Sequence, residues 1–190
     1  THVFPELYAD ANVRRLAGFF DTFRSALSGL KSDSASAAAI LTPGPLTDTY
    51  YEQAYIARYL GLPLLEGGDL TGQDGRLNAR TVKGPLPVEV LWRRMDSIWA
   101  DPLELRSDSQ LGTAGLMSAI RHGHVTMVNA LGVGVLETQA LMAFLPAISR
   151  ALTGGDLKLP NVATWWCGGA KQLAHVQRHA ARMMIGPAQA

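Results

Sequence analysis

The sequence predicts an α/β fold, on three observations. Short apolar runs recur along the chain, each closed by glycine, proline or a polar turn. Between them lie segments whose apolar residues return every three or four positions. The connections are brief, as in a doubly wound, mostly parallel sheet with helical crossovers. The chain has 190 residues, 47% hydrophobic and 17% charged, with mean hydropathy +0.06. That length supports one substantial core.

Each element follows in order. Residues 6–30 read as one amphipathic packing helix with an apolar stripe through Leu7, Val13, Leu16, Phe19, Phe20, Phe23, Leu27 and Leu30. The Ser/Ala-rich stretch to 37 reads as a linker, so 1–37 and 38–190 are the expected divisions. A strand at 38–42 stops at Pro43-Gly44-Pro45. Thr47 or Asp48 is a candidate N-cap for a helix that Gly61 ends before Pro63. A short strand at 64–66 follows, then a small hairpin over 71–83 turning at Gln73-Asp74-Gly75. Strands are expected at 88–92 and 125–128, with a helix from 108 or 109 to 121 between them. A helix over 136–152 should bend or split at Pro146. A helix around 170–182 and a strand start at 183–185 complete the chain.

Composition excludes several functions. Seventeen Lys+Arg against sixteen Asp+Glu leave a net charge of +1, so no strongly polyanion-seeking surface is expected and nucleic acid is not a predicted partner. Cys167 alone permits no intramolecular disulfide framework and no multi-thiolate zinc site. No run reads as a membrane span or a signal peptide, and a cytoplasmic location is expected. The chain opens on Thr1, which suggests a processed form or a piece of something longer.

In an open parallel sheet, ligands bind beyond the carboxyl ends of the strands. Thr42 and Gly44 follow the first strand; Arg93, Arg94 and Asp96 follow the 88–92 strand; Asn129, Gly132 and Gly134 follow 125–128. If those strands are neighbours, one edge gathers two guanidiniums, a carboxylate, an amide and two flexible turns. That set suits a ligand with carboxylate or phosphate groups. Adjacent arginines on a strand point to opposite faces, so one at most meets a given ligand. The alternative is that they pair with Asp96, Asp101 or Glu104. The 129–134 loop opening onto a helix could bind an anion, or be a plain strand-to-helix turn, since the full dinucleotide and P-loop spacings are absent.

The histidines form no metal set. His122 and His124 flank Gly123 and could cap helix carbonyls. His175 and His179 are spaced one helical turn apart but lack the glutamate of a zinc protease motif. Cys167 could be a nucleophile near a helix start or a small buried hydrophobe.

Read consecutively, several stretches carry a family resemblance. They are Leu41-Thr42-Pro43-Gly44-Pro45, residues 49–61, Leu65-Glu66-Gly67-Gly68-Asp69-Leu70, and Trp92-Arg93-Arg94-Met95-Asp96. Next come Asp101-Pro102-Leu103-Glu104-Leu105, residues 129–137, and residues 159–168, which include Trp165-Trp166-Cys167-Gly168. In this order the chain resembles the central part of circularly permuted type 2 ATP-grasp proteins, distant relatives of glutathionylspermidine-synthase-type ligases. The resemblance implies a Rossmann-like pre-ATP-grasp domain with helices flanking a mostly parallel sheet. It also implies descent from ATP-dependent carboxylate–amine ligases, whose acyl phosphate is attacked by an amine. It places a carboxylate-bearing small molecule or peptide at Arg93, Arg94, Asp96, Asn129, Gly132 and Gly134, to which the strand-end argument adds Thr42 and Gly44. ATP and Mg²⁺ are expected only for a full-length protein, bound by subdomains before and after this piece, which is expected to be inactive alone. No cofactor or metal is expected on the piece itself. Residues 183–188 resemble the strand on which such ligases present Lys or Arg to nucleotide, but this chain has Gly186 there. Two alternatives stand beside this reading: a non-catalytic binding domain of a degenerate ATP-grasp protein, and a freestanding α/β enzyme binding an anionic small molecule.

Overall fold

A computed structural model describes residues 4–188, which divide into two compact units, 4–130 and 131–188. The first unit is a mixed α/β layer. Its helices are α1 (Pro5–Asp10), α2 (Ala17–Gly29), α3 (Tyr50–Leu60) and α4 (Leu116–Arg121). Its strands are β1 (Ala37–Leu41), β2 (Leu64–Leu65), β3 (Leu70–Gln73), β4 (Arg76–Thr81), β5 (Gly84–Arg93) and β6 (Thr126–Val128).

The long strand β5 organises this unit by changing partners along its length. Its first half pairs antiparallel with β4, from Thr81↔Gly84 to Asn78↔Pro87, and β4 pairs with β3. Its second half pairs parallel with β1, from Ala37↔Val88 to Leu41↔Arg93, and with β6 at 90–92. The parallel part therefore runs β2-β1-β5-β6. Pro85 and Pro87 share one parity, so their missing N–H groups fall on the same edge of β5 and the ladder to β4 survives. Glu89 is an extra residue at the change of partners, because Ala37 pairs with Val88 while Ala38 pairs with Val90.

Burial explains the composition of the strands. β1 is Ala-Ala-Ala-Ile-Leu and is buried from Ala38 onward, the pattern of a strand covered on both faces. Leu27 of α2 packs with Ala38 and Val90, flanked by Phe23, Leu62 and Val128, and the Phe23 ring meets Trp92 edge-on at 4.9 Å. The β3–β4 hairpin turns on Asp74 and Gly75 at φ 52 and 68, the left-handed pair that a two-residue turn requires.

Several expected elements differ. The helix over 6–30 is two helices, broken where Asn12 turns left-handed at φ 48. Most of its apolar stripe is exposed, with Leu16 at 65% and Phe19 at 61%, and Leu27 alone is fully buried. The expected helix from 108 or 109 shortens to Leu116–Arg121, because residues ahead of it cross β2 and β3 at backbone contact. A side chain on Gly67 would overlap the Leu111 carbonyl, one on Gly112 the Trp99 carbonyl, and one on Gly72 the Ala114 carbonyl.

The second unit holds the 3₁₀ segments Val133–Glu137 and Gln139–Ala143, then α5 (Leu145–Thr153) and α6 (Ala170–His179). Pro146 sits in the first turn of α5, so the 136–152 helix splits there, and Gly154 ends α5 at φ 72. The expected buried side is largely open, with Leu136 at 62% and Leu152 at 81% exposure. Residues 183–185 form no strand. No helix among the described residues is long and apolar enough to cross a membrane.

Candidate functional site

The condition set by the sequence holds within the first unit: β1, β5 and β6 are neighbours, all parallel. Thr42–Gly44, Arg93–Asp96 and Asn129 therefore leave the same edge of the sheet side by side. The ladder runs on past the strands, with Thr42 N–H donating to Leu65 O and Arg94 N–H donating to Leu41 O, both at 2.9 Å.

Thr42 is fully buried, and its Oγ1 accepts from the Gly44 N–H at 3.2 Å. Gly44 sits at φ 99, and a Cβ there would lie 3.1 Å from Glu66 Oε2. Glycine thus lets the β1 end turn under a carboxylate. Glu66 and Asp69 cap the short turn after β2 reciprocally, with Glu66 N–H donating to Asp69 Oδ2 at 2.9 Å.

The two arginines occupy different environments. Arg93 is 8% exposed, and its guanidinium is held by backbone carbonyls: Nε donates to Asn129 O at 2.8 Å, Nη2 to Ala130 O at 3.3 Å, and Nη1 to Met95 O. Asn129, left-handed at φ 59, returns a bond from Nδ2 to Arg93 O at 3.2 Å. Arg94 is 28% exposed; its Nη2 donates to Glu52 Oε1 at 2.7 Å, and its guanidinium lies 5.5 Å from the Trp92 ring centre. The carboxylates expected as arginine partners are engaged elsewhere. Asp96 accepts from Ile98 N–H at 3.2 Å, buried Asp101 accepts from Leu103 and Met117 N–H at 2.9 Å each, and Glu104 pairs with Arg121 at 2.5 Å. That last pairing holds the Arg121 guanidinium above its ordinary value.

Sequence reasoning missed Glu52, Glu66 and the Trp92 ring as parts of this edge. A signal existed for Glu52, since the first turn of a helix following a parallel strand lies at the strand's carboxyl end.

Gly132 and Gly134 belong to the second unit. Gly132 is left-handed at φ 83, and neither glycine has an atom within 4 Å of where a Cβ would stand. The α-helix expected to open there is the 3₁₀ segment Val133–Glu137.

Also in the second unit, the His175 ring stacks on Trp165 at 4.8 Å and meets His179 at 4.5 Å. Cys167 is exposed rather than buried. Among the described residues, no group of three or more His, Cys, Asp or Glu is placed to hold a metal ion.

The family profile of circularly permuted ATP-grasp type 2 proteins matches residues 1–190. The chain belongs to that family. Similar proteins of mycobacteria and a cyanobacterium carry only the name uncharacterized protein. The protein Rv2567 of Mycobacterium tuberculosis is 38% identical over 97% of this chain and 21% of its own length. Rv2411c of the same species is 35% identical over 87% of this chain and 30% of its own. The Synechocystis protein sll0335 is 36% identical over 80% of this chain and 32% of its own. The chain thus spans between a fifth and a third of these relatives.

Proposed function

We propose that this circularly permuted ATP-grasp chain is the substrate-side part of an ATP-dependent carboxylate–amine ligase, holding a carboxylate-bearing small molecule or peptide at the strand ends. The observation that carries the reading is Arg94. It leaves β5 at the edge where ligands of parallel sheets bind, keeps its guanidinium partly exposed over Trp92, and is paired with a carboxylate that is itself 57% exposed. An exposed ion pair is worth little, so a substrate carboxylate taken bidentately can displace Glu52. Arg93, spent on carbonyls of Met95, Asn129 and Ala130, fixes the neighbouring strand end and is a positioning residue.

ATP would supply the phosphoryl group that activates the acid's carboxylate, with ADP released, and an amine would then displace that phosphate to form the amide. Nucleotide and Mg²⁺ belong in this reading to the further ATP-grasp subdomains of a longer protein, in the cytoplasm. The remaining work of this chain is to bind and orient the acid, with Thr42, Gly44 and Asp96 shaping the edge.

The test is phosphate release from ATP–Mg²⁺ by a full-length protein bearing this sequence, supplied with candidate amino acids and peptides. Arg94→Ala should lower kcat/KM by about tenfold or more, since charge-assisted bidentate bonds are strong. Unchanged kcat/KM would remove Arg94 from the site. A second reading rests on the resemblance of residues 183–188, which implies Gly186 where related ligases present a basic residue: a degenerate member that binds a peptide or partner without turnover. No ATP turnover with any acid, together with retained peptide binding, would select it.

A further inference from the structure

A second polar cleft lies within the first unit, away from the strand ends, at the point where β5 leaves β4 and takes up β6. It encloses about 330 Å³ and is floored by Leu30, Leu77, Pro87 and Val88. That volume sits at the small end of ligand pockets, roughly 300–1,000 Å³. Its polar walls are Ser32, Arg76, Asn78, Glu89, His124 and Thr126. The fork geometry accounts for the opening. Pairing to β4 stops at Asn78↔Pro87, whereas pairing to β6 starts at Val90↔Thr126, so the residues between leave one edge of β5 unfilled. The bulged residue of that strand is Glu89, and bulges re-aim side chains beside binding sites.

The charges in this cleft are opposite and do not meet. Glu89 is anchored as an anion: Oε2 accepts from Ser32 N–H at 2.7 Å and Asp33 N–H at 3.2 Å, and Oε1 accepts from Ser32 Oγ at 2.9 Å. The Ser32 backbone N–H is the main reason its carboxyl sits below the ordinary value of 4.5. A carboxylate offers roughly four lone-pair sites, so Oε1 keeps acceptor capacity. The Arg76 guanidinium, also lining the cleft, makes no hydrogen bond or ion pair among the described residues. His124 Nδ1 lies 2.7 Å from Gly75 O, so that nitrogen donates to the carbonyl and fixes the ring at the cleft wall. A fixed anion and an unpaired cation sharing one small cleft, too far apart to bond each other, match a ligand that carries both charges.

We propose that this cleft binds a small zwitterion of the α-amino-acid class, its carboxylate on Arg76 and its ammonium on Glu89. The inference stands apart from the strand-end reading, since it uses none of the same residues.

The test is a titration of the ¹⁵N-labelled chain with glycine and L-alanine, read by NMR at the Gly123, Thr126 and Arg76 Nε–H signals. Acetate and methylamine serve as single-charge controls. The expected result is saturable shifts with either amino acid and weaker response to each control. Arg76→Gln, at an exposed residue whose loss leaves the fold intact, should weaken amino-acid binding about tenfold or more. Glu89→Gln should do the same where it folds. Acetate binding as tightly as glycine, no saturable shift with either amino acid, or unchanged affinity in Arg76→Gln would each overturn the proposal.

Discussion

Arg93 and Asn129 hold each other's backbones: Arg93 Nε donates to Asn129 O at 2.8 Å, and Asn129 Nδ2 donates to Arg93 O at 3.2 Å. The ends of β5 and β6 are thereby locked at their exit from the sheet. The adjacent Arg94 is bound through its side chain to Glu52 on the surface. Arg93→Ala removes donors from one buried and two partly buried carbonyls and should lower unfolding stability by about 2–4 kcal/mol. Arg94→Ala should change it by less than about 1 kcal/mol. Urea denaturation of both variants checks the contrast, and equal losses would show that Arg93 is not the strut.

The crossing of residues 111–112 over the β2 turn gives a second contrast, between neighbouring glycines. A methyl group on Gly67 would overlap backbone carbonyl oxygens, whereas one on Gly68 meets nothing within 4 Å. Gly67→Ala should therefore cost about 2–3 kcal/mol or prevent folding, and Gly68→Ala should stay within about 1 kcal/mol of the wild type. Thermal unfolding of the pair decides it.

Asp101 is a buried carboxylate whose two oxygens receive the N–H groups of Leu103 and Met117. Asp101→Ala leaves both donors without their acceptor and should destabilise by about 2–4 kcal/mol. Asp101→Asn keeps one acceptor oxygen and should recover part of the loss. A hydrogen-exchange measurement should show the Met117 amide losing protection in the alanine variant.

Acid should weaken the fold through Glu89. Its folded carboxyl sits below the ordinary 4.5, first because of the Ser32 backbone N–H and then the Asp33 N–H and Ser32 hydroxyl, with burial opposing. The unfolded chain therefore binds the proton more readily. The contribution is fully present above the unfolded value and fades as pH falls through the lower folded one. Between about pH 6 and about pH 3, the denaturation midpoint of Glu89→Gln should fall less than that of the wild type. Asp108, lowered by its bond to Arg106, remains in both proteins, so the difference isolates Glu89. Parallel pH curves would remove Glu89 from the acid response.

Turn chemistry was legible because it is local. Asp74-Gly75 and the helix-ending Gly61 and Gly154 all adopt the left-handed backbone that their residue types suggest. The α/β pattern left the neighbouring of β1, β5 and β6 as a condition, because strand order depends on pairings between residues distant in sequence. The periodicity of residues 6–30 misled, because an apolar stripe records which residues share a face and not what covers it; Phe19 remains 61% exposed. Pro85 and Pro87 hid the first half of β5, since a proline reads as a strand stop unless its missing N–H falls on an unpaired edge. The helix expected from 108 onward failed because Gly112 and Gly115 serve a backbone crossing that involves partners distant in sequence. Which arginine is buried was hidden for the same reason: alternation says that Arg93 and Arg94 differ, but their faces depend on the bulge upstream.

That bulge sets a phase. A strand without it would keep one alternation from Gly84 to Arg93, and aligning its first half to β4 would present the second half to β1 and β6 one residue out of step. Glu89 works as a spacer between two registers. Deleting it would leave Val90 still opposite Ala38 and Arg93 still opposite Leu41, whereas pairing Glu89 regularly would exchange the faces of every later residue relative to the hairpin.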